Sequence, residues 1–321
     1  MAMADGKVVV ITGGNSGVGL AIAKQLLGQA TLVLMCRSQK KAEAARQYLL
    51  TINPRATVHL VELDTSSVDS VISASRALHK LCPRINVLFC NAGTMPIESL
   101  NWPAIIGGLL THPVEFFESS EAINQKRGSV TSDGLGQTFQ TNVFGHYLLI
   151  HRTLALLRDG RIVWTGSSAS RLNFSPSDYQ HIHGTKSYES SKFIIDQITV
   201  PLNARLSQYN IRCVVAEPGN VCTNFLSGLG NCVLEFIILV AFYLIRTVGG
   251  LARFTITPDT ACTACCHAGQ AEAVDSHIKY YSCATRRGRP FIASRPLEYS
   301  EKTGTFLLNK LDALVARFDQ P

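Results

Sequence analysis

The stretch Ser187–Phe193, SYESSKF, sets a tyrosine and a lysine four positions apart. Residues at that spacing share one face of a helix. An ammonium beside a phenol favours the phenolate, so Lys192 is expected to pull Tyr188 below its ordinary value of about 10 and let it exchange a proton with a carbonyl oxygen. Upstream, WTGSSAS offers the hydroxyls of Ser167, Ser168 and Ser170. One of them can hold the same oxygen, or they can simply cap the end of a strand. Tyr179 also lies near these serines, but position 183 is His, not Lys. Without an ammonium partner Tyr179 reads as a loop residue. His181 and His183 stand two apart without acidic or thiol companions, and read as solvated or substrate-facing rather than as metal ligands.

A second group of residues speaks of a nucleotide. TGGNSGVG, Thr12 to Gly19, follows an apolar run and opens a helical pattern. Glycines at 13, 17 and 19 permit a tight turn, close approach of a pyrophosphate and contact between helix and sheet, and the helix N-terminus offers free N–H groups. Thr12, Asn15, Ser16 and Val18 complete this loop. The second apolar run ends in MCR, so Cys36 stands where an acid would hold the adenine ribose, and Arg37 follows. A cation there suits a 2′-phosphate and therefore NADPH, unless Arg37 is only a solvated loop charge. Asp64, closing LVELD, either accepts from the adenine amino group or caps the following helix.

These residues need a frame. Short β-branched runs alternate with helical patterns: KVVVIT, GLAIAKQLL, TLVLMCR, QKKAEAARQYLL, TVHLVELD. With the continuous apolar runs INVLFCNAG, RIVWTGSS and IRCVVAEPG they predict a doubly wound, parallel α/β sheet of the Rossmann type. All 321 residues, 46% of them hydrophobic, are expected in one domain. Two segments break the alternation: about 94–136, apolar and without a strand, and about 226–256, which contains the run Cys232–Ile245. That run is too short for a span of about 20 residues and carries Glu235. It is either a buried core helix or a lid lying in a membrane interface, with Arg246 and Arg253 toward anionic headgroups.

The net charge of +7 is scattered, which argues against a nucleic-acid partner. Ten cysteines sit in apolar runs rather than at framework spacings, as in a reducing compartment. CTACCH, Cys262 to His267, has no second ligand pair at zinc spacing and reads as a buried helix face, so no metal is expected. Asp5 and Lys7 lead straight into the first strand, with no signal-like apolar segment, and a catalytic face toward the cytosol is expected.

In this order the motifs resemble the short-chain dehydrogenase/reductases over nearly the whole chain: the glycine loop, NAG at Asn91, Ala92 and Gly93, NVFGH from Asn142, the serine, the Tyr188/Lys192 pair, and PGNVCT with Pro218, Gly219, Val221 and Thr223. The resemblance implies that Lys192 also binds the nicotinamide ribose, and that Ser167, with Ser168 as alternative, positions the substrate oxygen. It implies that Asn142 completes a water-mediated relay through the lysine, unless it is a buried asparagine bonded to backbone, and that the loop after Pro218 meets the cofactor. A homodimer through the helix bearing the tyrosine and its predecessor is a further implication. NAGTMPI, FQTNVFGHYLLI and NFSPSDYQHIHGTKSYESSK are similar to the 3-keto-steroid reductase branch of that family. This implies an NADPH-dependent reductase of a sterol or steroid ketone at the endoplasmic reticulum membrane. A retinal or long-chain aldehyde reductase, and a non-catalytic NADPH-binding scaffold, are the alternatives. Gly166, Phe193 and the region Arg286–Pro321 depart from the branch pattern.

Overall fold

A computed structural model of the chain describes residues 6–111, 116, 121–170, 175–221 and 232–318. The strands are β1 (Val8–Thr12), β2 (Thr31–Cys36), β3 (Val58–Glu62), β4 (Val87–Cys90), β5 (Ile97–Leu100), β6 (Ile123–Gln125), β7 (Arg161–Thr165), β8 (Arg212–Glu217), β9 (Ile278–Ala284) and β10 (Pro290–Pro296). Eight of them form one sheet in the order β10-β9-β8-β7-β4-β1-β2-β3. Every pairing is parallel except β10 on β9. The central strands are buried on both faces, which is why their sequences are continuous apolar runs.

Helices cover each face. On one side lie α1 (Gly17–Gln25), α2 (Gln39–Ile52) and α8 (Thr263–Gln270). On the other lie α3 (Val68–Leu81), α5, α6 (Ser187–Leu206) and α9 (Glu301–Phe318). Helix α5 is composite: α-helical at Gln137–Phe139, π-helical at Gln140–Phe144, and α-helical again at Gly145–Arg152. Serines start α2 and α3, where the Ser38 and Ser67 hydroxyls accept from the N–H groups of Lys41 and Ser70. Cys265 and Cys266 are buried within α8, as the sequence predicts for the cysteine cluster.

Two expectations change. Segment 94–136 is not strandless, because β5 and β6 pair as an antiparallel two-stranded sheet beside α4 (Trp102–Thr111). The polar, alternating IESL and INQ carry little of the β-branched density that marks the central strands. The face offered for pairing by α5 and α6 is also occupied. Helix α9 buries Leu307, Leu308, Leu311, Leu314 and Val315 there. Asp312 accepts from the Tyr147 hydroxyl of α5 and the Arg205 guanidinium of α6. Pro201, lacking an N–H, cannot bond the carbonyl of Gln197 within α6, and Gly304 packs against both. A homodimer through α5 and α6 would have to displace α9. The motif-poor C-terminal region is therefore an integral part of the core.

Helix α7 (Cys232–Thr247) precedes α8. Among the described residues no helix is long and apolar enough to cross a membrane.

Candidate active site

The C-terminal ends of β1, β4, β7 and β8 open into one cleft of ≈ 570 Å³. Parallel strands leave such a crevice where the chain order reverses, here between β1 and β4. Gly13, Asn15, Ser16, Gly17 and Val18 line one end of it, and Asn91, Ala92, Gly93, Pro218, Gly219 and Val221 line its floor and far wall. Thr223 lies outside the described residues.

The loop fits a dinucleotide on its own geometry. Gly13 and Gly17 take φ of +66° and +53°, in the left-handed region that side chains disfavour. A Cβ on Gly19 would stand 2.3 Å from the Gly13 carbonyl oxygen, so only glycine lets α1 approach the turn this closely. Ser16 begins α1 without a side-chain cap bond, leaving its hydroxyl uncommitted at the helix N-terminus. Behind the loop the buried Thr12 hydroxyl accepts from the N–H groups of Asn91 and Ala92, 2.9 Å each, and lies 2.9 Å from His146 Nε2. The Asn91 amide donates to the Thr12 carbonyl at 3.0 Å. Thus β1, β4 and α5 are tied together directly beneath the glycines.

Arg37 stands at the cleft mouth with 77% of its side chain exposed and its guanidinium 3.8 Å from Asp64. Asp64 is also engaged locally, accepting from the Ser66 N–H and hydroxyl. These bonds close a local turn ahead of α3, whose cap is Ser67, so Asp64 does not cap that helix. Burial pushes the Cys36 thiol up to about 11 against the N–H groups of Gly14 and Asn15, which favour its thiolate.

At the other end Tyr188 and Lys192 both line the cleft from one face of α6. The Ser167 hydroxyl hydrogen-bonds that of Tyr188, so Ser167 rather than Ser168 meets the phenol. Lys192 donates from Nζ to the Thr165 carbonyl at 2.7 Å, with Nζ 5.6 Å from the centre of the Tyr188 ring. Burial pushes Lys192 down to about 8, against the attraction of Asp196.

The expected depression of Tyr188 does not occur. Burial drives it up to about 12, Ser167 only partly offsets this, and Glu217 adds to it. The i, i+4 spacing places the two groups correctly, but desolvation of the phenolate outweighs the opposing pull of Ser167 and Lys279. Tyr188 is thus held as an acid, the form required to give a proton to an oxygen that becomes an alkoxide.

Asn142 sits in the π-helical turn of α5. Its Oδ1 accepts from the Thr94 N–H, and its amide donates to the Thr94 carbonyl and the Ser191 hydroxyl. The side chain, itself buried, therefore braces the NAG loop against α6. Ser168 lines an adjoining cavity of ≈ 860 Å³ that also reaches Ser167.

The decoys separate cleanly. Tyr179 packs edge-on to Phe139 and does not line the cleft. His181 is buried, not solvated, and its Nε2 accepts from the Lys186 N–H just before α6. Sequence reasoning also missed three supports. His146 was legible in NVFGH; burial and the nearby Lys192 push its imidazole down to about 3, so it stays neutral. Gln125 accepts from the Tyr188 N–H and donates to Glu189, fixing the first turn of α6. Lys279 donates to the Ser167 carbonyl at 3.0 Å. Neither of the last two has a local sequence signal, because each acts across the fold.

The sequence profile described as short chain dehydrogenase matches residues 7–231. A human protein, 3-keto-steroid reductase/17-beta-hydroxysteroid dehydrogenase 7, is 36% identical over 95% of this chain and 92% of its own length. The 3-keto-steroid reductase of Schizosaccharomyces pombe is 30% identical over 91% of each chain. Among solved structures, the Pseudomonas aeruginosa RhlG/NADP active-site complex superposes with a TM-score of 0.59 at 21% identity, covering 86% of this chain and 93% of the other. At that identity the likeness concerns the fold alone.

The pKa pattern predicts which group limits ketone reduction at high pH. Below about 8 Lys192 is charged, and above it the ammonium is lost while Tyr188 keeps its proton to about 12. The reductive kcat/KM should therefore be level below that point and fall above it, and Lys192→Arg should move the fall to higher pH. Tyr188→Phe should lower kcat at least ~100-fold while cofactor affinity, measured by fluorescence titration, holds.

Proposed function

Because the chain belongs to the short-chain dehydrogenase family, we propose that it is an NADPH-dependent reductase of a bulky apolar ketone, the 3-keto group of a sterol or steroid. The observation that carries the substrate class is the similarity to 3-keto-steroid reductases, which covers 95% and 91% of this chain. The chemistry rests on Ser167, Tyr188 and Lys192 meeting at the end of a dinucleotide cleft. When bound, the reduced nicotinamide supplies a hydride to the carbonyl carbon. Ser167 holds the substrate oxygen through its hydroxyl, and Tyr188 donates its proton to that oxygen as negative charge develops. Lys192 keeps a positive charge beside the phenol and would hold the nicotinamide ribose. A substrate-panel assay following NADPH oxidation tests this reading. Turnover of a 3-keto-sterol above that of retinal supports it. The reverse order favours an aldehyde reductase, and no turnover with retained NADPH binding favours a scaffold.

Preference for NADPH follows from Arg37 at the cleft mouth, with Cys36 in the place of an acid. Arg37 can turn from Asp64, a weak exposed partner, to a 2′-phosphate. The Cys36→Asp, Arg37→Ser double variant should prefer NADH in kcat/KM. Equal use of both cofactors by the wild type removes the argument.

Association with the endoplasmic reticulum membrane, active face toward the cytosol, is the third element of the proposal. It is supported by the surface of α7 and the turn that follows it, where Val240, Tyr243 and Leu244 of the helix and Val248 just beyond are 41%, 41%, 56% and 73% exposed. A buried core helix would not leave this stripe open. The arginines behave otherwise than the sequence suggests. Arg246 is only 7% exposed, with its guanidinium over the Tyr243 ring, and Arg253 turns inward to Glu217 and Tyr281. Phe242 likewise packs edge-on to Phe254. Contact with lipid would therefore be apolar, with no role for those two cations. Replacing Val240, Leu244 and Val248 with serine should abolish co-sedimentation with neutral liposomes while turnover of a small soluble ketone persists. Unchanged sedimentation would refute the membrane assignment.

A further inference from the structure

Beneath the serine loop lies a buried knot of charge that the hydride chemistry does not use. Lys279 of β9 donates from Nζ to the Ser167 carbonyl at 3.0 Å and to Asp196 Oδ2 at 2.8 Å, and lies 3.6 Å from Glu217. Asp196, four residues beyond Lys192 on α6, also accepts from the Ser170 hydroxyl at 2.6 Å. Glu217, at the end of β8, is 1% exposed. Three elements therefore converge on residues 167–170.

The residue before the serine completes the fit. A Cβ on Gly166 would stand 2.6 Å from Val215 Cγ1 and 3.2 Å from Lys279 Cε. Glycine at that position, one of the departures in the sequence, is what lets the lysine stem pass under the loop. Burying ions among partners rarely adds stability over a well-packed apolar cluster, so the knot calls for another reason. Its geometry supplies one: the ammonium has three donor directions, and the carbonyl of Ser167 takes one of them.

We infer that Lys279, fixed by Asp196, is a positioning residue that holds the Ser167 hydroxyl in register with Tyr188 and the substrate oxygen. The inference rests on the proposed role of Ser167. A loop pinned at its carbonyl holds the Ser167 Cα and Cβ at a fixed distance from the phenol, and misplacement by a fraction of an ångström weakens transition-state contacts more than ground-state binding. The knot also sets the field at the phenol, since Lys279 lowers Tyr188 and Glu217 raises it. Lys279 itself stays charged, because Asp196 and Glu217 overcome the opposing cost of its burial.

The test is a double-mutant cycle on reduction of the accepted ketone with NADPH, using Ser167→Ala, Lys279→Met and their combination, with thermal unfolding measured in parallel. Lys279→Met should lower kcat roughly 10-fold or more with little change in ketone KM, and its effect should vanish in the Ser167→Ala background. If Ser167→Ala proves neutral, the reading of Ser167 fails and takes the inference with it. If Ser167→Ala is harmful but Lys279→Met multiplies with it, only the positioning inference is overturned. Should Lys279→Met unfold, the cycle is run in Asp196→Asn, which removes the nearer of the two opposing buried charges, leaves Glu217 its partner Arg253, and keeps an acceptor for Ser170. There, recovery of both melting temperature and kcat by Lys279→Met/Asp196→Asn would overturn the inference, and recovery of melting temperature alone would support it. Gly166→Ala, which alters no charge but crowds Lys279, should also lower kcat; an unimpaired kcat in that variant counts against it.

Discussion

The bond from the Lys192 ammonium to the Thr165 carbonyl is the constraint around which the site is arranged. An ammonium at this depth requires a strong acceptor, and the last residue of β7 provides one. The bond fixes α6 along the end of the sheet, and with it Tyr188, one turn earlier. It also sets the chemical character of the pair. A phenol shielded enough to sit over the cleft is shielded from ionising, so burial makes Tyr188 a proton donor, and the same burial makes Lys192 a cation close to losing its charge.

Around this bond the cleft is assembled by close backbone approach. Thr12 is the clearest case, because one hydroxyl gathers the turn after β4, and the histidine of α5, beneath the glycine loop. Gly19 allows the first helix to touch that turn, and Asn142 ties the NAG loop to α6. These contacts leave little freedom in the cradle, as a site that binds a long, flexible cofactor in one orientation requires.

The additions to the common sheet act at its margins. Helix α9 covers α5 and α6, so its apolar face helps to build the core. The β9–β10 edge contributes Lys279 and Tyr281 to the charge cluster behind the serine. Helix α7 leaves an apolar stripe in the open beyond the cleft.

The sequence by itself determined the alternation of strands and helices, the glycine turn, the order of motifs and the shared face of Tyr188 and Lys192, because each depends on periodicity or on residues within a few positions of one another. It singled out Ser167 among the three serines only through the family resemblance. What it left undecided depends on residues far apart in the chain. The sign of the Tyr188 shift came from burial by the whole fold. The inward turn of Arg253 came from Glu217, and the pinning of Ser167 from a lysine 112 positions away. The short strands of segment 94–136 were hidden by polar residues that pair only at the surface. Local pattern decides which groups lie side by side on one element; dielectric surroundings and long-range partners decide what charge those groups carry, and they exist only once the chain has closed around them.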